Sequence, residues 1–457
     1  MVEGVDVVLL AGFGAKSLYP VATDSMPLAL LPVGNKPLIS YGLSTVACCG
    51  AGRILVMVSG TEASQQIRAY LADNPPDKPC EVVEVDGDAG SAGALRLALQ
   101  KIQSGDFLLA TEEIVSDCNV AALMAAHRVN AATATVMLGR TRTSPSSETK
   151  PGKAPKNVDY IGLDERREQL LFHASKSGKQ APDLKVAVAA MKRAGAMTVR
   201  TDLVDLQVYM FNAEAVSSLL QRFPTMTSVK EEVLPLLVQQ QFRAPRPRSG
   251  GASEGDAPDT APEGSLTLSP GETAPQPEEP QLYDWQRFNH SRGTAGSSWP
   301  AWCGVIDASK AGYCELVDSI QAYADINREV VDPARLERLT GRKPSKYDNH
   351  VPTTARLGNR TTVGAACAVG ERTVLGDKCG VKRSVIGSDC RIGNNCKVVN
   401  SVLMDGITLG DNCDVRNTVI CSGCRVGEDA SLRDCQVGYN YDVAENADHK
   451  DETLARE

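Results

Sequence analysis

Aromatic residues make up only 5% of this 457-residue chain, and its five histidines (His127, His173, His290, His350 and His449) are scattered. Nothing in that spacing resembles a zinc site, so neither a metal nor another cofactor is expected. Apolar runs are short. None reaches the ~20 residues that span a bilayer, and the N-terminus carries no basic, apolar, small-residue leader. These absences predict a soluble protein of the cytosol without membrane contact. Positive charge is also in deficit, with a formal net charge of −8 and a sequence pI near 5.4. That argues against direct binding of nucleic acid by broad electrostatics. The 14 cysteines do not imply a disulfide scaffold, because a chain this long builds a core without one.

The most telling shortage lies between residues 7 and 39, VVLLAGFGAKSLYPVATDSMPLALLPVGNKPLI. Val7–Leu10 reads as a buried strand, and Gly12 and Gly14 then let the backbone approach a phosphate closely. Transfer of phosphoryl or nucleotidyl groups rests on positioning and charge neutralisation. The one cation in the loop is Lys16.

This stretch resembles the nucleotidyltransferase superfamily of sugar-nucleotide pyrophosphorylases, whose signature runs L-A-G-G-x-G-T-R-L-x-P, then P-K-P-L-L-P-V and x-K-P-[LM]-I. The resemblance implies a Rossmann-like α/β domain. It sets Ser17 where the family carries a catalytic arginine, Leu28 where it carries the lysine of P-K-P, and Phe13 and Ala15 at two of the glycines. A one-residue shift would offer Lys16 as a replacement cation, at the cost of the Leu18-Tyr19-Pro20 match. The family's metal-binding aspartate falls, by similarity, on Glu113, after the apolar run Phe107–Ala110. Magnesium demands tight octahedral geometry, so the longer acid is not neutral. Gly12, Gly14, Lys16, Ser17, Leu28 and Glu113 are therefore expected to form a vestigial nucleotide pocket with no catalytic residue and no metal. The expected product is a pseudoenzyme.

Residues 1–242 alternate short β-branched runs (Arg53–Ser59, Glu81–Val85, Thr133–Leu138) with helical patterns (Ala89–Gln103, Cys118–Asn130), as doubly wound α/β domains do. Residues 243–300 are rich in Gly, Ser, Pro and Glu and are expected to be a disordered insert or linker. Residues 301–350 read as a connecting strand and one helix, Leu316–Val331.

Residues 369–436 divide without a gap into four units of 17. Aliphatic residues open each unit (Val369, Ile386, Leu403, Ile420) and recur six and twelve positions later. A fixed period signals a solenoid, and sides of six, six and five residues make a triangular prism. The [LIV]-G-x-x-C steps resemble hexapeptide repeats, which implies a left-handed parallel β-helix over 351–440. The polar stretch 441–457 reads as an acidic tail. Stacking predicts a column of Ser384, Ser401 and Thr418, small cysteines packed inside, and Lys382, Arg416 and Arg433 along one edge, interrupted by Val399.

In order along the chain, LPVGNKPLI at 31–39, DYIGLD at 159–164, TDLVD at 201–205 and SVKEEVLPLL at 228–237 resemble the gamma subunits of eukaryotic translation initiation factor 2B. That resemblance implies a non-catalytic structural and regulatory role in the complex that promotes GDP/GTP exchange on translation initiation factor 2. The implied partners are the epsilon and other subunits of the exchange factor, and initiation factor 2 itself. The competing expectation is a working sugar-nucleotide pyrophosphorylase.

Overall fold

A computed structural model describes residues 4–13, 18–23, 26–47, 51–142, 157–166, 168–177, 185–187, 190–192, 196–242, 265–267, 302–308 and 312–455. Gly14, Lys16 and Ser17 lie outside them, as does most of the 243–300 insert. Within that insert, Ser265–Thr267 pairs antiparallel with Lys185–Ala187.

The first half is built on a seven-stranded sheet whose strands are β1 (Val5–Ala11), β2 (Ala51–Ser59), β3 (Cys80–Val85), β4 (Asp106–Thr111), β5 (Ala134–Arg140), β6 (Leu203–Asn212) and β7 (Cys303–Asp307). Their order across the sheet is β7-β5-β6-β4-β1-β2-β3. All neighbours run parallel except β6, which is antiparallel to both β4 and β5. Strand β1 is buried along its whole length. Such continuous burial on both faces is why its sequence, apart from Asp6 whose carboxylate accepts from the Gln103 and Ser104 amides, is hydrophobic rather than alternating. Helices pack on either side, and the two faces bury separate cores, one around Val7, Leu9 and Ile54 and one around Val8, Leu10 and Phe107.

Strand β7 corrects the reading of 301–350 as a connector, since Cys303–Asp307 completes the sheet by pairing with β5. The single helix expected there is two. Ile320–Val330 is followed by Pro333–Thr340, with Asp332 accepting a hydrogen bond from the Ala334 amide and Pro333 in the first turn. An Asp-Pro pair starts a helix well and continues one badly, which is what divides them.

The repeat region folds into three parallel six-stranded sheets, the three sides of a prism. The 17-residue register holds, with Val381, Val398, Val415 and Leu432 stacked inward and buried. Ser384, Ser401 and Thr418 form the expected ladder, each hydroxyl accepting from the amide of the next rung (Ser401 N 3.1 Å, Thr418 N 3.2 Å, Cys435 N 3.3 Å). The interior cysteine thiols donate to carbonyls, as at Cys396 Sγ to Gly410 O, 3.1 Å, and Cys413 Sγ to Gly427 O, 3.1 Å.

The prism does not stop at 440. Asp442–Val443, Asp448–Lys450 and Thr453–Leu454 add a further rung, so most of the expected tail belongs to the solenoid. His449 takes the inward position of that rung, opposite Leu432. Among the described residues no helix is long and apolar enough to cross a membrane.

Candidate functional site

The glycine turn follows β1 at the carboxyl edge of the sheet, where open α/β folds place ligands. Gly12 has φ +84°, and a Cβ there would come within 3.1 Å of the Ser59 Cβ, so glycine is required on both counts. Its amide does not point into an open cradle. It donates to Glu112 Oε1 at 2.6 Å. Glu112 is 1% exposed, directly after β4, and its own amide donates to Leu10 O across the sheet. Burial pushes this carboxyl up to about 8, and neighbouring Glu113 adds to the rise while the Gly12 amide opposes it. Its second oxygen is buried without a hydrogen-bond partner among the described residues. A buried carboxyl thus sits against the backbone donor that a phosphate loop would offer to a ligand.

Leu28 lies in a short turn of 3-10 helix and is buried in a cluster that includes Leu18, Val21, Leu31 and Tyr323. Phe13 is half-buried and packs on the core around Val8 and Phe107. Both side chains fill space instead of presenting charge.

Glu113 is brought into a second buried assembly that the sequence did not announce. Its Oε2 accepts from the Gln207 side-chain amide at 3.2 Å. Lys230 Nζ lies 2.9 Å from Asp159 Oδ2, and Asp159 also accepts from the Asp205 amide (2.9 Å) and the Ser175 hydroxyl (2.7 Å). Tyr209 donates to Asp205 Oδ2 at 2.7 Å, and His173 Nε2 is 3.2 Å from the same oxygen. Burial alone would raise the Asp205 carboxyl, but His173, Lys230 and Tyr209 hold it below the ordinary carboxylate range. Burial alone would lower the Lys230 ammonium, yet Asp205, Asp159 and Glu113 hold it above its usual value. The lone pairs of Asp159 and Asp205 are spent on protein donors, which makes this network an internal brace more than an open ligand set. Asp159, Asp205 and Lys230 fall within the runs quoted above for their resemblance. The sequence offers no signal that they meet, because the contact joins residues as far apart as Asp159 and Lys230 through side chains.

The surviving part of the signature, Leu31–Ile39, works as a joint. Pro32–Val33 and Lys36–Pro37 form a tiny ribbon whose turn residues Gly34 and Asn35 both have positive φ, 53° and 60°. The Gly34 amide donates to Asn327 Oδ1 at 2.8 Å, and Arg342 donates to the carbonyls of Gly34 (3.0 Å) and Asn35 (2.9 Å). Asn35 Nδ2 reaches Ile386 O on the prism at 2.8 Å, while Tyr323 donates to Pro32 O at 2.6 Å. Further along, the Tyr439 hydroxyl donates to Val21 O at 2.7 Å. One continuous core runs from Leu18, Leu31 and Tyr41 through the Ile320–Val330 helix into the interior of the prism.

Residues 5–148 match the family model described as nucleotidyl transferase, and residues 347–448 match the one described as the LbH domain of EIF2B subunit epsilon. The chain is 25% identical over 406 residues to the translation initiation factor eIF2B subunit gamma of Dictyostelium discoideum, covering 84% of this chain and 88% of that one. The subunit of the same name from Schizosaccharomyces pombe is 28% identical over 246 residues, 52% of this chain and 51% of its own. A glucose-1-phosphate thymidylyltransferase from an Actinoplanes species is 45% identical, but over 58 residues, 13% of this chain and 19% of the enzyme. Fold and site together define a nucleotidyltransferase-type domain fused to a left-handed β-helix. In that domain order and across those relatives, the chain is similar to the eIF2B gamma subunits.

Proposed function

We propose that this chain is a non-catalytic structural and regulatory subunit of the guanine-nucleotide exchange factor that acts on translation initiation factor 2. In this reading it works in the cytosol, pairs with the epsilon subunit, and helps the assembled complex hold its GDP-bound substrate during exchange. In the same reading the nucleotidyltransferase site expected from Gly12, Gly14, Lys16, Ser17, Leu28 and Glu113 is vestigial. One observation carries the pseudoenzyme part: the Gly12 amide, a donor that a substrate phosphate would need, is engaged by the carboxyl of Glu112. The replacement of a lysine by buried Leu28 supports it, since transfer chemistry without fixed cations loses its main source of charge stabilisation. The strength of the joint supports the structural role. The alternative, a sugar-nucleotide pyrophosphorylase, finds support in the nucleotidyl transferase match over residues 5–148 and in the short thymidylyltransferase match.

Tagged protein recovered from native lysate under mild conditions tests this reading. Exchange-factor subunits, epsilon among them, are expected in stoichiometric amounts. Recovery of the chain without them overturns the proposal.

A further inference from the structure

A cavity of about 690 Å³ opens at the carboxyl edge of the sheet, away from the glycine turn. Arg140 ends β5, Asp307 ends β7 and Leu203 begins the antiparallel β6, and all three line it. In the sheet order β5 stands three places from β1, roughly 14 Å at the usual strand spacing. The floor is apolar, made by Leu138, Leu163, Leu203, Val305 and Ile306. The rim is mixed. Arg140, Arg166 and Arg200 supply positive charge, and Glu168 and Asp307 supply negative. Arg200 is held by Asp202, whose Oδ1 accepts from its Nε at 2.8 Å. Arg140 and Arg166 are exposed and form no ion pair among the described residues.

Both ends of the 243–300 insert are fastened beside this rim. Gln241 Oε1 accepts from the Cys303 amide at 3.0 Å and from the Gln169 side-chain amide at 2.9 Å, and Glu168 O accepts from the Val305 amide at 3.0 Å. From 249 to 286 the chain has eight acidic residues and neither lysine nor arginine. Residues 278–285, EEPQLYDW, set Glu278, Glu279 and Asp284 beside Leu282, Tyr283 and Trp285. We propose that the cavity is a docking site for this run of the chain's own insert, with Leu282, Tyr283 and Trp285 on the apolar floor and the acids toward Arg140 and Arg166. The rim favours this occupant over a free phosphate or nucleotide. Glu168 and Asp307 repel a polyanion but accept from a phenol O–H or an indole N–H. Reach is not limiting. Trp302 follows Trp285 by 17 positions, a flexible span of roughly 20–25 Å. A tether of this length keeps the run at an effective concentration on the order of millimolar, so even a weak contact is filled. The docking concerns the sheet domain alone and stands apart from the proposed role in translation.

Hydrogen exchange of the purified full chain at low salt, resolved by mass spectrometry, tests it. The amides of 278–285 should exchange at least about tenfold more slowly than in the double variant Arg140→Glu/Arg166→Glu, as a docked fraction above about nine-tenths requires. Both arginines are on the surface, so circular dichroism should match the parent chain. A labelled synthetic peptide of residues 276–287 supplies a second readout. It should bind the full chain carrying Tyr283→Ser/Trp285→Ser, whose cavity is emptied, at least about tenfold more tightly than the parent, whose own run competes. Equal exchange of 278–285 in the parent and the arginine variant overturns the inference. So does peptide binding that is the same with and without the insert substitutions, or that survives Arg140→Glu/Arg166→Glu in the same chain.

Discussion

The buried carboxyl of Glu112 makes folding depend on pH in a way that a single substitution removes. Its ordinary value is 4.5 and burial raises it to about 8. Between those two values the folded chain holds a proton that the unfolded chain has released. The resulting stability is present in full below the lower value, falls as pH rises, and is gone above about 8. A tenfold difference in proton affinity is worth about 1.36 kcal/mol, so the rise from 4.5 to about 8 sets a ceiling of roughly 5 kcal/mol. Glu112→Gln keeps an oxygen for the Gly12 amide and cannot ionise. At pH 5 the variant's advantage should be smallest, under about 1 kcal/mol, because the folded parent is still neutral and only the start of the linked loss has occurred. At pH 8.5 it should be more stable, by at least about 1 kcal/mol and up to the ceiling. Denaturant unfolding at pH 5, 6.5 and 8.5, followed by tryptophan fluorescence and circular dichroism, reads the difference directly. All other titrating groups are common to both proteins and cancel. A stability difference that stays constant across this range would refute the claim that Glu112 is held neutral against the glycine turn.

Three further substitutions test the brace, the joint and the ladder. Lys230→Met leaves Asp159 and Asp205 without their ammonium and should cost about 3–5 kcal/mol in denaturant unfolding. Gly34→Ala places a Cβ 2.8 Å from Val330 Cγ1 at a positive φ, and should cost about 1–3 kcal/mol and speed proteolysis between the sheet domain and the prism. Thr418→Val keeps the shape of the rung but strands the Cys435 amide, which should lower the stability of the prism by about 1–3 kcal/mol.

Much of this architecture is legible in the sequence because its causes are local or periodic. A 17-residue repeat fixes the register of every rung, so the columns of Ser384, Ser401 and Thr418 and of Lys382, Arg416 and Arg433 follow by counting. The last rung escapes because His449 stands at an aliphatic position and the flanking residues are acidic, so the pattern fades where the fold continues. Strand β7 is read from sequence as a connector, and its place in the sheet escapes because five residues after a long polar insert carry nothing that names their partner strand. The retained glycine and the missing cations of the first loop are visible residue by residue. What engages the Gly12 amide is not, since Glu112 and Gly12 are 100 positions apart and a Glu at a strand end looks solvated. The joint is hidden for the same reason. Asn35, Asn327 and Ile386 come from three separate stretches, and each alone is ordinary turn, helix or rung.

The claim on which the rest depends is that the old transfer pocket has been absorbed into the packing of the chain. The most direct measurement mixes the purified full-length protein with magnesium, each nucleoside triphosphate in turn and a panel of sugar 1-phosphates, and follows pyrophosphate release with a working thymidylyltransferase as reference. No release above the protein-free background is predicted. Release at rates near those of the reference enzyme, abolished by Glu113→Ala, would contradict the account.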